Sequence, residues 1–131
     1  MKKAIHRLTA YLAVAMLFMA QATLAQDAAQ ALKSKTPEQR AAYQTTLMKT
    51  KLQLDTNQVV KVQAINLKYA LQFDPILKGD GGRMAKFRQA MSIQKAKDAD
   101  LKTALTADQY KLYQQYEAEM KEKLKSFASK Q

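Results

Sequence analysis

The pentapeptide Leu54-Asp55-Thr56-Asn57-Gln58 returns fifty-one residues later as Leu105-Thr106-Ala107-Asp108-Gln109, and both copies have the layout of a helix start. Asp55 or Thr106 can act as the N-cap, its side-chain oxygen accepting a backbone N–H that has no partner inside the helix. Gln58 or Gln109 then falls at the third helical position, where its side chain reaches back to the N–H of the cap residue and closes a capping box. Leu54 stands opposite Val59 and Leu105 opposite Tyr110, at the spacing of a hydrophobic staple. Thr36-Pro37-Glu38-Gln39 makes a third such start, with Pro37 at the first helical position. A short chain punctuated this way is expected to be a repeated helical unit.

The amino terminus has a different character. Lys2, Lys3 and Arg7 precede a largely apolar run over residues 8–20, and small residues follow. This is the layout of a secretory signal peptide. Cleavage is expected after Ala25, with Ala22 as the alternative. The apolar run is short for a spanning helix, which needs about 20 apolar residues, and no second run exists, so no integral membrane segment is expected after cleavage. Residues 26–35 are rich in Ala, Gln and Lys and read as a disordered lead-in.

Without residues 1–25 the chain keeps 106 residues, enough for one domain with a modest core. It has no Cys, and its one His, His6, lies in the leader. No disulfide, transition-metal site or nucleophilic dyad is expected, and no cofactor. The remaining chain has 19 basic against 11 acidic residues, a net charge of +8. Such a balance often signals nucleic acid. Export and the absence of a basic run interleaved with aromatics argue against that here. The charge is read instead as a solvated surface or as an attraction for acidic clients, anionic lipid heads or an acidic partner.

Periodicity predicts four helices and no sheet. Helix one runs from 37 to about 53, with Ala41, Met48 and Leu52 on its apolar line and Tyr43 and Leu47 on a neighbouring face. Helix two, from the first pentapeptide to about 73, carries apolar residues on both sides: Val62, Ile65, Tyr69 and Phe73 against Val60, Ala64, Leu67 and Leu71. Two readings stand for it, a central helix buried on both sides or a helix that presents one face to a partner. Asp74-Pro75 is expected to end or kink it, and Gly79-Asp80-Gly81-Gly82 to form a flexible turn that holds every Gly of the chain. That turn lacks the features of a phosphate loop. Helix three, about 83–104, has Met84, Phe87, Met91, Leu101 and Leu105 on a line interrupted by Gln94 and Asp98. Helix four, to about 127, carries Tyr110, Tyr113, Tyr116, Met120, Leu124 and Phe127 on one stripe, and residues 128–131 form a tail.

A leader, an all-helical chain of about 100 residues and two LTxxQ-type pentapeptides together resemble the Spy/CpxP-like family of periplasmic proteins. Leu105-Thr106-Ala107-Asp108-Gln109 fits the motif in full. Leu54-Asp55-Thr56-Asn57-Gln58 has Asp at the second position, where either residue can cap. The resemblance spans residues 36–127. It implies four helices forming a long bent hairpin, an antiparallel homodimer and a periplasmic location. It also implies an ATP-independent chaperone that limits aggregation in the envelope, with a regulatory partner of an envelope-stress sensor kinase as the alternative. The branch of the family that binds metal uses His, which this chain lacks after the leader.

The chaperone reading needs a basic surface to speed encounter and apolar patches to hold partly folded clients. Candidate client-binding residues are Val60, Leu67 and Leu71 with Lys61 and Lys68 on helix two, and Arg83, Lys86 and Arg88 on helix three; Lys49 and Lys51 are further basic candidates. Leu54, Asp55, Gln58, Leu105, Thr106 and Gln109 are assigned to architecture. An enzyme is not expected, because Asp98 and Asp100 sit on a helix with no sign of a pocket.

Overall fold

The computed structural model describes Gln30 and residues 33–128, except for the side chains of 123–125, 127 and 128. The expected leader, residues 129–131 of the tail and most of the lead-in lie outside the described residues. Within the lead-in, Lys33 and Ser34 have helical backbone. From Thr36 onward the fold is all-α: α1 (Pro37–Leu52), α2 (Thr56–Lys78), α3 (Arg83–Ala104) and α4 (Ala107–Ala128). No strand occurs among the described residues.

All three capping boxes form. Thr36 accepts from Gln39 N–H and Gln39 Oε1 accepts from Thr36 N–H. Asp55 and Gln58 do the same at α2, and Thr106 and Gln109 at α4. α1 stops at Gln53, which adopts the left-handed conformation at φ 52°. For a residue with a Cβ this costs on the order of 1 kcal/mol. It turns the chain so that Leu54 N–H bonds back to Lys49 C=O at 3.2 Å and the Leu54 side chain drops into the core.

Of the two outcomes expected at Asp74-Pro75, the helix does not end there. α2 runs through Pro75 to Lys78, and Pro75 sits inside its last turn. Neighbouring side chains tie down this last turn. Arg40 Nη2 of α1 bonds Asp74 Oδ1 at 2.6 Å and Ala70 C=O at 3.3 Å, while Lys78 Nζ bonds Asp74 Oδ2 at 2.8 Å. The helix ends at Gly79, whose N–H reaches Pro75 C=O at 2.9 Å. A Cβ at Gly79 would stand 2.6 Å from that oxygen, so glycine is needed there for space.

The core gathers Met48 and Leu52 of α1, Leu54, Val62 of α2, Leu101 of α3, Leu105 and Tyr113 of α4, with Val59, Ile65 and Tyr110 packed around them. Burying each such side chain contributes about 1.5–3 kcal/mol. Both staple residues, Val59 and Tyr110, therefore touch the cluster that their leucines enter. α1 packs mainly on α2 and α2 on α3, whereas α4 has a lighter seat on α1 and α3. A second, polar contact ties α1 to α2: Asn66, fully buried, donates to Thr45 Oγ1 at 2.9 Å, and Thr45 donates to Ala41 C=O at 2.8 Å.

Two apolar lines are only partly used. On α3, Leu101 and Leu105 enter the core, but Met84, Phe87 and Met91 are exposed. The helical period holds, and the N-terminal half of that line has no covering neighbour among the described residues. On α4, Tyr113 is buried, Tyr110 and Tyr116 are half-buried and Met120 is exposed.

Candidate functional site

The two pentapeptides meet. Gln58 Nε2 donates to Gln109 Oε1 at 2.6 Å, and Gln109 Nε2 donates to Gln58 Oε1 at 3.0 Å. Each amide also reaches the last carbonyl of a helix belonging to the other repeat: Gln58 Nε2 to Ala104 C=O at 3.4 Å, Gln109 Nε2 to Leu52 C=O at 3.2 Å. The arrangement is reciprocal. Each glutamine oxygen accepts from its own cap N–H and from its counterpart, and each glutamine nitrogen satisfies an orphan carbonyl at a helix C-terminus. Two helix starts and two helix ends thus close on one half-buried amide pair, directly beside the leucines Leu54 and Leu105. The pairing joins residues 51 apart in the chain and was not foreseen. The available clue was the identical glutamine in both copies, although aspartate and threonine interchange at the cap.

A second polar cluster seats α4. Tyr113 donates to Asp98 Oδ1 at 2.7 Å, and Gln94 Nε2 bonds both Asp98 Oδ1 at 2.9 Å and Tyr113 Oη at 3.1 Å. Lys97 is buried and donates to Gln44 Oε1 of α1 at 2.8 Å. Burial lowers the Lys97 pKa against the opposing pull of Glu117 and Asp98. Glu117 of α4 is half-buried in the same region. Burial and the neighbouring Asp98 carboxylate raise its pKa, and Lys97 opposes the rise. The interruptions that Gln94 and Asp98 make in the α3 line are thus contacts with α4.

The candidate client-binding residues divide. α2 turns Val62, Asn66, Tyr69 and Ala70 inward. Of its opposite strip, Val60 is 66% exposed and Leu71 51%, Ala64 is exposed and Leu67 half-buried. Of the two readings of α2, the helix with one presented face is the one found in the single chain. Over the eleven residue steps from Val60 to Leu71 the strip is about 16 Å long. At its α1 side a shallow open groove is lined by Ala42, Thr45, Thr46, Lys49, Val59, Val60 and Gln63. Lys61, Lys49 and Lys51 are exposed.

Other basic candidates are engaged within the chain. Lys68 is paired with Asp100 at 2.8 Å and lies over the Tyr69 ring. Tyr69 Oη donates to the same Asp100 oxygen at 2.7 Å, and these two partners, Lys68 first, hold the Asp100 carboxyl below its ordinary pKa. Lys86 Nζ donates to Gly79 C=O and caps the end of α2. Lys51 stands 5.7 Å from the centre of the Tyr116 ring, a cation–π contact of α1 with α4. Arg83 and Arg88 are exposed on α3, next to Met84, Phe87 and Met91. Sequence reasoning left these three apolar side chains in the seam.

No helix among the described residues is long and apolar enough to cross a membrane. The fold and its surfaces define a small all-helical protein built on a capping-box joint, with uncovered apolar strips flanked by cations. Comparison with family models, curated proteins and solved structures gives no match.

Proposed function

We propose that the chain is a Spy/CpxP-like, ATP-independent chaperone of the bacterial periplasm, and that it captures partly folded clients on the outer strip of α2. The observation that supports this most is the strip itself: Val60, Ala64, Leu67 and Leu71 run along a helix whose other side is committed to the core. The core does not need these residues, so solvent or a bound chain covers them. Contiguous uncovered apolar surface on a small protein marks an interaction face. Lys61 and Lys49 lie beside it, and with a net charge of +8 beyond residue 25 they favour encounter with acidic unfolded segments. Reversible capture on such a strip needs no nucleotide.

The test mixes the chain starting at Gln26 with an aggregating client and follows light scattering at low and high salt. Suppression at near-stoichiometric ratios, weakened by salt, is the expected result. Absence of suppression across several unrelated clients would sink the proposal and favour a regulatory partner of a sensor kinase. Mass in solution reports the dimer separately.

A further inference from the structure

We propose that the exposed face of α3 docks on anionic lipid headgroups. Met84, Phe87 and Met91 are 64%, 60% and 49% exposed and follow one another along one side of the helix. At 100° per residue, Lys95 and Arg88 project within about 20–40° of Met84 on one flank, and Arg83 borders Phe87 on the other. Between Asp80 and Asp98 the chain holds five basic residues and no acidic one. Two of the five are used internally, Lys86 on the Gly79 carbonyl and Lys97 on Gln44 of α1. Arg83, Arg88 and Lys95 are exposed and take part in no ion pair among the described residues.

The chemistry selects among occupants. A second copy seated on this face about a two-fold axis would bring like charges together, which disfavours it. A folded acidic protein is recognised through clefts that fit particular side chains, whereas Met84, Phe87 and Met91 stand exposed along α3. A lipid surface asks for less. Its phosphates move laterally to meet guanidinium and ammonium groups, and a short row of unbranched or aromatic side chains enters the boundary between headgroups and acyl chains. A basic helix with a narrow apolar strip meets that demand while remaining far too polar to span. The inference is independent of the chaperone proposal, since lipid docking on α3 and client capture on α2 use different strips.

The chain contains no Trp, so Phe87→Trp places a single indole on the face. The experiment uses the chain starting at Gln26, which contains every residue of the core. It is mixed with vesicles of phosphatidylcholine alone or with roughly a third phosphatidylglycerol. The expected result is a blue shift and co-sedimentation with the anionic vesicles only, both lost in about 0.5 M salt. Inorganic phosphate should leave the emission unchanged. Arg83→Glu, Arg88→Glu and Lys95→Glu together should weaken vesicle binding more than about tenfold with helicity intact. The inference is overturned by an unshifted indole and no sedimentation with anionic vesicles, or by binding that survives the triple charge reversal. A blue shift in buffer that grows with protein concentration alongside a doubled mass would overturn it in favour of a second copy.

Discussion

Replacing Gln58 by glutamate separates a helix cap from a joint. Glutamate keeps the carboxyl-type oxygen that accepts from Asp55 N–H, and it is an accepted third residue of a capping box. If Gln58 only capped α2, the change would be neutral, or stabilising by about 0.3–1 kcal/mol through the positive end of the helix dipole. The structure predicts otherwise. Gln58 Nε2 is lost as donor to Gln109 Oε1 at 2.6 Å and to Ala104 C=O at 3.4 Å. At about 0.5–1.5 kcal/mol for each bond, the long one at the low end, this removes roughly 1.5 kcal/mol. Two acceptors then face each other at the former bonding distance, which adds about 1 kcal/mol and is partly offset by the dipole gain. A net loss of about 2 kcal/mol in a domain of this size lowers Tm by roughly 8–16 °C. Gln39→Glu is the control, because Gln39 closes the same box at α1 with no long-range partner among the described residues. It also corrects for the general benefit of adding an acid to a basic protein. Thermal melts of both variants followed by circular dichroism decide the matter. Near pH 4 the gap should narrow, because the carboxyl that stands in for the Gln58 amide regains an O–H donor once protonated. Equal Tm values for the two variants at neutral pH would refute the joint.

Further predictions concern the seat of α4, the core and the end of α2. The pKa of Glu117 is raised in the fold, so its contribution to stability is full below the unfolded carboxylate pKa and is lost as pH rises through the folded value. Glu117→Gln should therefore raise Tm at neutral pH and leave it nearly unchanged near pH 4, as read by melts across that range. Leu101→Ala empties a fully buried position and should cost about 2–5 kcal/mol in urea unfolding, a large part of the stability of a domain this small. Asp74→Ala removes the carboxylate that pairs with buried Arg40 and should lower Tm, with amide exchange in the last turn of α2 accelerating most.

Local chemistry was legible in the sequence and long-range selection was not. Thr36, Asp55 and Thr106 cap as their neighbours dictate, because a capping box closes within four residues. Leu54 and Leu105 could be placed for the same reason. The meeting of Gln58 with Gln109 depends on how four helices assemble, and no window of sequence contains that. The continuation of α2 past Pro75 goes with the Arg40–Asp74–Lys78 cluster, which lies across α1 and α2 and outside any one window of sequence. Met84, Phe87 and Met91 have the right period for a seam, but a period cannot say whether a neighbouring helix is long enough to cover it. Val60 and Leu71 were among the candidate residues and are exposed, whereas Lys68 and Lys86 proved to be partnered. Buried Arg40 and Lys97 went unnoticed because charged residues are read as solvated by default.

In the mechanism proposed, the joint builds the frame and the outer strip of α2 does the binding. Val60→Ser with Leu71→Ser tests this division in a single assay of client light scattering, run beside the parent chain at a temperature where both are folded. These side chains are exposed, so each substitution should shift Tm by no more than about 2–4 °C. Suppression of aggregation is predicted to fall several-fold while Tm holds. Full suppression by the doubly substituted chain would contradict the account.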